Sequence, residues 1–193
     1  MTTIQVIPTE YHNTLFRSRL EARWAVFFDA LEVPWEIEPE AFGDGEKGYL
    51  PDFWLPNQNC YFEVKPDTNF DEQKIALACI ATQKRVMVAT GPVAPPDLRN
   101  FGFSNWDGKV NTTDGMFMMS AFQQPDGTWD AGGFDINYYW CECPVCPAVG
   151  IEFDGRGARV CSHSEGDKSY SPNAPRILEA FRKADRYRFW NPS

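Results

Sequence analysis

The chain has 193 residues, 43% hydrophobic and 15% aromatic, with 27 acidic against 18 basic side chains and a formal net charge of −9. That length suits one domain, or one domain with a small appendage, and the hydrophobic and aromatic content excludes a disordered chain. No apolar run is long enough to span a membrane, the N-terminus lacks a signal-peptide pattern, and the acidic balance argues against coating nucleic acid by bulk charge; a cytoplasmic protein away from membranes is expected.

Between Thr14 and Leu31, apolar residues Leu20, Trp24, Phe27, Phe28 and Leu31 recur at helical spacing. They predict an amphipathic helix that must stop before Pro34. Three extended runs follow at 35–40, 49–55 and 60–65, the first connection loosened by Gly43, Gly45 and Gly48 and the second a tight turn at Pro56-Asn57-Gln58-Asn59. A second helix is expected over 69–83, capped by Asn69 or Asp71, and then a buried strand over 85–92. Residues 93–115 form a long Pro/Gly/Asn/Asp-rich connection. Extended runs at 116–123 and 129–140 flank Pro125-Asp126-Gly127 and read as a hairpin. A Cys/His cluster and a polar stretch come next, and Pro175 opens a final helix over 176–190. The expected division is a core over 1–92, a linker and hairpin over 93–140, and a metal-binding appendage with the closing helix over 141–193.

Two of the six cysteines, Cys60 and Cys79, lie singly in apolar segments and read as small buried hydrophobes. Cys141, Cys143, Cys146 and Cys161 crowd together beside His163. In a reducing compartment such a cluster signals a metal rather than disulfides. Cys143-x-x-Cys146 and Cys161-x-His163 supply four soft or borderline ligands, the set a closed tetrahedral Zn²⁺ site needs, joined by a hairpin-like stretch over 150–160. Cys141 is an alternative ligand, strand alternation being expected to turn only one of Cys141 and Cys143 toward the ion. The Cys-Pro-x-Cys form of the first knuckle resembles zinc ribbons and favours Cys143.

The chemistry-bearing stretch is Pro51-Asp52 followed by Glu63-Val64-Lys65. Within a strand, a separation of two puts Glu63 and Lys65 on one face and Val64 with Phe62 on the other. Asp52 joins them from the partner strand. Two close carboxylates repel, and a hard divalent cation such as Mg²⁺ or Mn²⁺ relieves that. Such an ion activates water and shields charge on a phosphate, with a lysine alongside to orient the attack. The bland alternatives are an Arg17–Glu21 helix pair, turn chemistry at Asp52 and a cross-strand salt bridge at Glu63/Lys65. Tyr49 and Trp54 flank the motif as core packing or as stacking platforms.

This pattern resembles the PD-(D/E)XK nuclease superfamily, and the helix, three strands, helix, strand order resembles its αβββαβ core with a mixed sheet. Phe16-Arg17-Ser18-Arg19-Leu20-Glu21 and Tyr49-Leu50-Pro51-Asp52-Phe53-Trp54-Leu55-Pro56-Asn57 are most similar to phage endonuclease I-type Holliday-junction resolvases. The resemblance covers about residues 14–92 and implies an α/β, restriction-endonuclease-like fold. It implies Glu21, Asp52, Glu63 and the Val64 carbonyl as Mg²⁺ ligands and Lys65 as the group orienting water. Arg17, Arg19, Gln73 and Lys74 would stand near the substrate backbone. It also implies DNA as partner, a homodimer as an allowed assembly, and a bacterial or phage-infected cytoplasm.

The closing helix carries five basic and two acidic residues between Arg176 and Arg188, a basic flank suited to phosphate or simply to solvent. Residues 29–52 hold eight acids and one base, so much of the acidity is concentrated beside the expected cation site. The expected activity is Mg²⁺-dependent hydrolysis of DNA. The rival classes are a silent nuclease-fold binding protein, such as a phage counter-defence or DNA-binding factor, and an enzyme acting on small cyclic nucleotides.

Overall fold

Strand β5 (Cys60–Lys65) is the spine of the molecule, paired antiparallel to β4 (Phe53–Leu55) on one side and parallel to β6 (Arg85–Thr90) on the other. A parallel pair needs a crossover, and α2 (Glu72–Thr82) supplies it. The computed structural model describes residues 6–42, 48–67, 69–95, 116–136, 138–153, 161, 163 and 173–190. Within them lies a six-stranded mixed sheet in the order β3 (Glu36–Ile37), β4, β5, β6, β7 (Met116–Gln123), β8 (Trp129–Ile136). The hairpin expected beyond the core is therefore part of the same sheet, β7 pairing antiparallel with β6. The connection at 96–115 lies outside the described residues.

Alternation along β5 sorts the two faces. Cys60, Phe62 and Val64 join Met87 and Ala89 under α1 (Arg19–Ala30), while Tyr61 joins Val86, Val88, Ile75 and Cys79 under α2. The α1 face is aromatic: Trp24 meets Phe62 at 4.8 Å between ring centroids, and Phe28 meets Phe53 at 5.3 Å. The last helix, α3 (Pro175–Arg186), starts with Pro175 in its first turn and packs on α1, Phe181 lying 4.4 Å from Phe27. Arg176 staples this corner by donating to the Leu31 and Pro147 carbonyls.

Several boundaries differ from expectation, each for a local reason. The first helix begins at Arg19, not Thr14, because β1 (Thr9–Tyr11) and β2 (Thr14–Phe16) form a hairpin that claims the segment before it. His12 and Asn13 make its two-residue turn at φ 48° and 62°, the left-handed conformation that tight hairpins demand. β3 stops at Ile37 because Glu38 adopts φ 42°. Asp71, not Asn69, caps α2, accepting from the Gln73 and Lys74 amides. The run expected as one strand over 129–140 divides: β8 pairs with β7, and β9 (Tyr138–Glu142) pairs with β10 (Val149–Phe153) in a separate two-stranded sheet. Trp140 of β9, 1% exposed, plugs the α1 face against Phe27 and Phe28.

Candidate functional site

Two charged clusters stand out. The first lies where β4 begins and β5 ends. Register sets Phe53 opposite Phe62, so Asp52 meets the backbone between Glu63 and Lys65. Asp52 and Glu63 are 4% and 2% exposed and Glu21 is 8%, a burial carboxylates accept only with partners. Each has them. Asp52 Oδ2 accepts from the Val64 amide at 2.7 Å, and Asp52 Oδ1 accepts from Arg17 Nη2 at 2.6 Å. Glu63 Oε2 accepts from the Tyr49 hydroxyl at 2.7 Å and from the Asp52 amide at 3.3 Å. Glu63 Oε1 is paired with Lys65 Nζ.

Glu21 is brought to the cluster by the cap of α1. Ser18 caps α1 and accepts from the Glu21 amide at 3.1 Å, while Glu21 Oε1 takes the Ser18 hydroxyl at 2.7 Å and Oε2 the Arg17 amide at 3.2 Å. This is a variant of the capping box in which the Glu21 carboxylate takes the amide one residue before the cap, and the box's signal, Ser-x-x-Glu before an apolar run, stands in the sequence as Ser18 to Glu21. Arg17 precedes the helix, so the helical Arg17–Glu21 side-chain pair does not form. The Arg17 guanidinium spans Asp52 and Glu38 instead, with Nε 2.6 Å from Glu38 Oε1.

Burial first, then the charges of Glu63 and Glu21, raise the Asp52 carboxyl from 3.8 to about 8, despite the Val64 amide and Lys65. Burial and Glu63 likewise hold the Tyr49 phenol well above its ordinary value, so it stays a donor. Tyr49 packs in the core with Tyr61, Ile75 and Val86, and its hydroxyl is also oriented onto Glu63. Trp54 packs on Tyr61.

The other expected site residues are less close-knit. Arg19 is half-buried, and its Nε is shielded without a hydrogen-bond partner among the described residues. Gln73 is exposed and Lys74 half-buried in the first turn of α2. Among the described residues, neither side chain is bonded to the carboxylates.

The second cluster is a candidate metal centre. Cys143, Cys146, Cys161 and His163 place one ligand atom each within 4.8 Å of one another. Among the described residues this is the one group of three or more Cys, His, Asp or Glu so gathered; Glu21, Asp52 and Glu63 together do not meet that spacing. Cys146 Sγ lies 3.6 Å from Cys161 Sγ, too far for a disulfide. It is close to the edge of about 3.8 Å that two sulfurs make on a tetrahedral ion with arms of about 2.3 Å. His163 Nδ1 stands 3.5 Å from Cys161 Sγ and 4.0 Å from Cys143 Sγ.

The amides of Val145 and Cys146 both donate to Cys143 Sγ at 3.4 Å. Burial acts to raise that thiol, but the Cys146 and Val145 amides and the neighbouring thiols outweigh it and bring it down to about 6. A thiol so poised readily becomes the thiolate a metal binds. Cys141 stays out of the group, fully buried on β9 with its thiol toward the Tyr139 carbonyl. Strand alternation is not what separates it from Cys143, since residues two apart share a face and Tyr139, Cys141 and Cys143 cluster together. The separation comes from the end of β9 at Glu142, which leaves Cys143 to start the turn. The stretch expected as a hairpin over 150–160 is described only to Phe153, where β10 pairs back onto β9.

Burial pushes the Cys60 and Cys79 thiols up to about 12 and about 11, as suits inert core cysteines. No helix among the described residues is long and apolar enough to cross a membrane. No protein-family model matches the chain, and no curated protein or solved structure does either.

Proposed function

We propose that this chain is a metal-dependent nuclease of the PD-(D/E)XK type, hydrolysing phosphodiester bonds in DNA, with a Cys₃His centre that holds a structural Zn²⁺. The observation that carries the first part is the buried pairing of Asp52 with Glu63, with Lys65 on the same strand face and Glu21 near enough to act on Asp52. Burying two like charges costs stability that a purely structural contact has no need to spend.

The donor set suits a hard divalent cation. Among the described residues, Asp52 Oδ1 and Glu63 Oε1 face only side-chain cations, which can move aside, whereas Asp52 Oδ2 and Glu63 Oε2 are fixed by the Val64 amide, the Tyr49 hydroxyl and the Asp52 amide. When bound there, Mg²⁺ or Mn²⁺ would supply Lewis acidity and a more acidic water. The chain's own residues do the rest. Asp52 and Glu63 fix the geometry, Tyr49 and the Val64 amide hold those two in place, and Lys65 is positioned to orient water toward phosphorus. The Cys₃His set offers a full complement of protein ligands, leaving no open position for chemistry, and so is structural.

The silent-binder reading draws on one specific observation: Arg17 and Lys65 already neutralise the carboxylates internally. Incubation with branched, duplex and single-stranded DNA and with RNA, each with and without Mg²⁺ or Mn²⁺, decides between the two. Metal-dependent cleavage lost in Asp52→Asn and Lys65→Ala supports the nuclease. No cleavage of any substrate by folded, zinc-loaded protein supports the binder.

A further inference from the structure

Arg17 occupies an unusual position for a residue expected to touch substrate. Its guanidinium lies on Asp52 Oδ1, while Oδ2 takes the Val64 amide; among the described residues no backbone amide is bonded to Oδ1. Asp52 is almost wholly enclosed, its side chain 5% exposed, whereas the Arg17 side chain is 52% exposed and that of its other partner, Glu38, 32%. Its backbone is anchored apart from its side chain, since the Arg17 amide donates to Glu21 inside the capping box. Displacing the side chain toward solvent would therefore break its two ion pairs but not the main-chain anchor.

The geometry points to Arg17 as an internal counter-ion that competes with the divalent cation for Asp52 and is released when the cation binds; this rests on the metal-site reading given above. A guanidinium remains charged at every accessible pH, so it cannot yield by losing a proton. A cation and a guanidinium sharing one buried carboxylate oxygen repel strongly at low local dielectric, so occupancy by one disfavours the other. Release would leave a planar, always-charged fork beside the carboxylates, which is the chemistry that recognises a phosphate oxygen. Arg17 is thus a positioning residue that couples metal loading to phosphate capture. By linkage, whatever draws Arg17 away from Asp52 strengthens metal binding, and a nucleic-acid phosphate would do so.

The test is calorimetric titration of Mn²⁺ into the full, zinc-loaded chain without nucleic acid. Wild type, Arg17→Ala, Arg17→Gln, Arg17→Lys and Asp52→Asn are compared, each checked for wild-type far-UV circular dichroism. The expected result is Mn²⁺ affinity about five-fold or more tighter in Arg17→Ala and Arg17→Gln, near wild type in Arg17→Lys, and lost in Asp52→Asn. Should Arg17→Ala fail to fold, Arg17→Gln carries the test, because it keeps a side-chain amide beside Asp52 without the charge. Unchanged or weaker Mn²⁺ binding in Arg17→Gln, with binding still lost in Asp52→Asn, overturns the competition and leaves the metal site standing. Wild-type Mn²⁺ binding by Asp52→Asn overturns the metal site and the competition together.

Discussion

The Tyr49 hydroxyl donates to Glu63 Oε2 across 2.7 Å, inside a wall where both residues are nearly sealed from solvent. Tyr49 pairs with Phe42 in an isolated bridge, and its ring packs against Tyr61 and Val86 of the sheet. Tyr49→Phe keeps the ring and removes the donor. A hydrogen bond to a buried charge is worth about 1.5–3 kcal/mol, and a loss of stability in that range is expected in urea unfolding. Cleavage, measured under single-turnover conditions, should fall about 10–100-fold, the usual effect of unfastening a metal-site carboxylate.

Asp52 makes stability depend on pH in a defined direction. Burial, then the charges of Glu63 and Glu21, shifts the folded Asp52 carboxyl upward from 3.8 toward about 8, while Arg17 on Oδ1 keeps a share of it ionised. Between those values the native state binds the extra proton, so unfolding free energy falls as pH rises through the window. Urea midpoints at pH 5 and pH 8 should show the wild type less stable at the higher pH. Asp52→Asn should flatten that difference and be the more stable protein at pH 8, yet lose metal-dependent cleavage by about a hundred-fold or more. Because the zinc centre has a pH dependence of its own, the comparison with Asp52→Asn decides: a variant that loses as much stability as wild type, or more, between pH 5 and pH 8 would contradict the assignment.

The Cys₃His centre makes a prediction with an internal control. Protein prepared without chelator should carry one equivalent of Zn²⁺ by elemental analysis. Cys143→Ser or Cys161→Ser should lose it, and Cys141→Ala, outside the group, should retain it. Because Arg176 ties the Pro147 carbonyl to Leu31 at the end of α1, metal loss should also loosen α3. Hydrogen exchange in α3 should therefore quicken in Cys143→Ser, with unfolding free energy lower by several kcal/mol, on the order of what small structural zinc sites contribute.

Ser18→Ala separates capping from chemistry. It removes the acceptor for the Glu21 amide and one donor to the Glu21 carboxylate. A cost of about 0.5–2 kcal/mol is expected from the lost cap, read from thermal unfolding. Glu21→Gln, which retains most capping contacts but not the charge, should cost less stability and more cleavage activity than Ser18→Ala.

Much of the local structure was legible. The helical period of Trp24, Phe27 and Phe28, the alternation in 60–65 and the turn at Pro56 each follow from spacing, and β5 occupies the residues expected. The N-terminal hairpin was missed because its strands are three residues each and its turn is His12-Asn13, without the glycine that usually signals one. The division of 129–140 is not legible because β8 pairs back onto β7 and β9 forward onto β10, and alternation alone does not say where pairing changes hands.

By itself, then, the sequence determined which side chains share a face and which are spaced for a cap or a knuckle. Glu63 and Lys65 are two apart on one strand, Ser18 and Glu21 are spaced for a cap, and Cys143 and Cys146 are spaced for a knuckle. These follow from the periods of strand, helix and turn, which every residue obeys locally. Tertiary structure decided who meets whom: Arg17 on Asp52, 35 positions further along, Tyr49 on Glu63, His163 on Cys143, Cys161 on Cys146, and Trp140 against Phe27. Those contacts come from strand register and helix packing, which depend on the balance of burial and charge over the whole molecule rather than on local spacing.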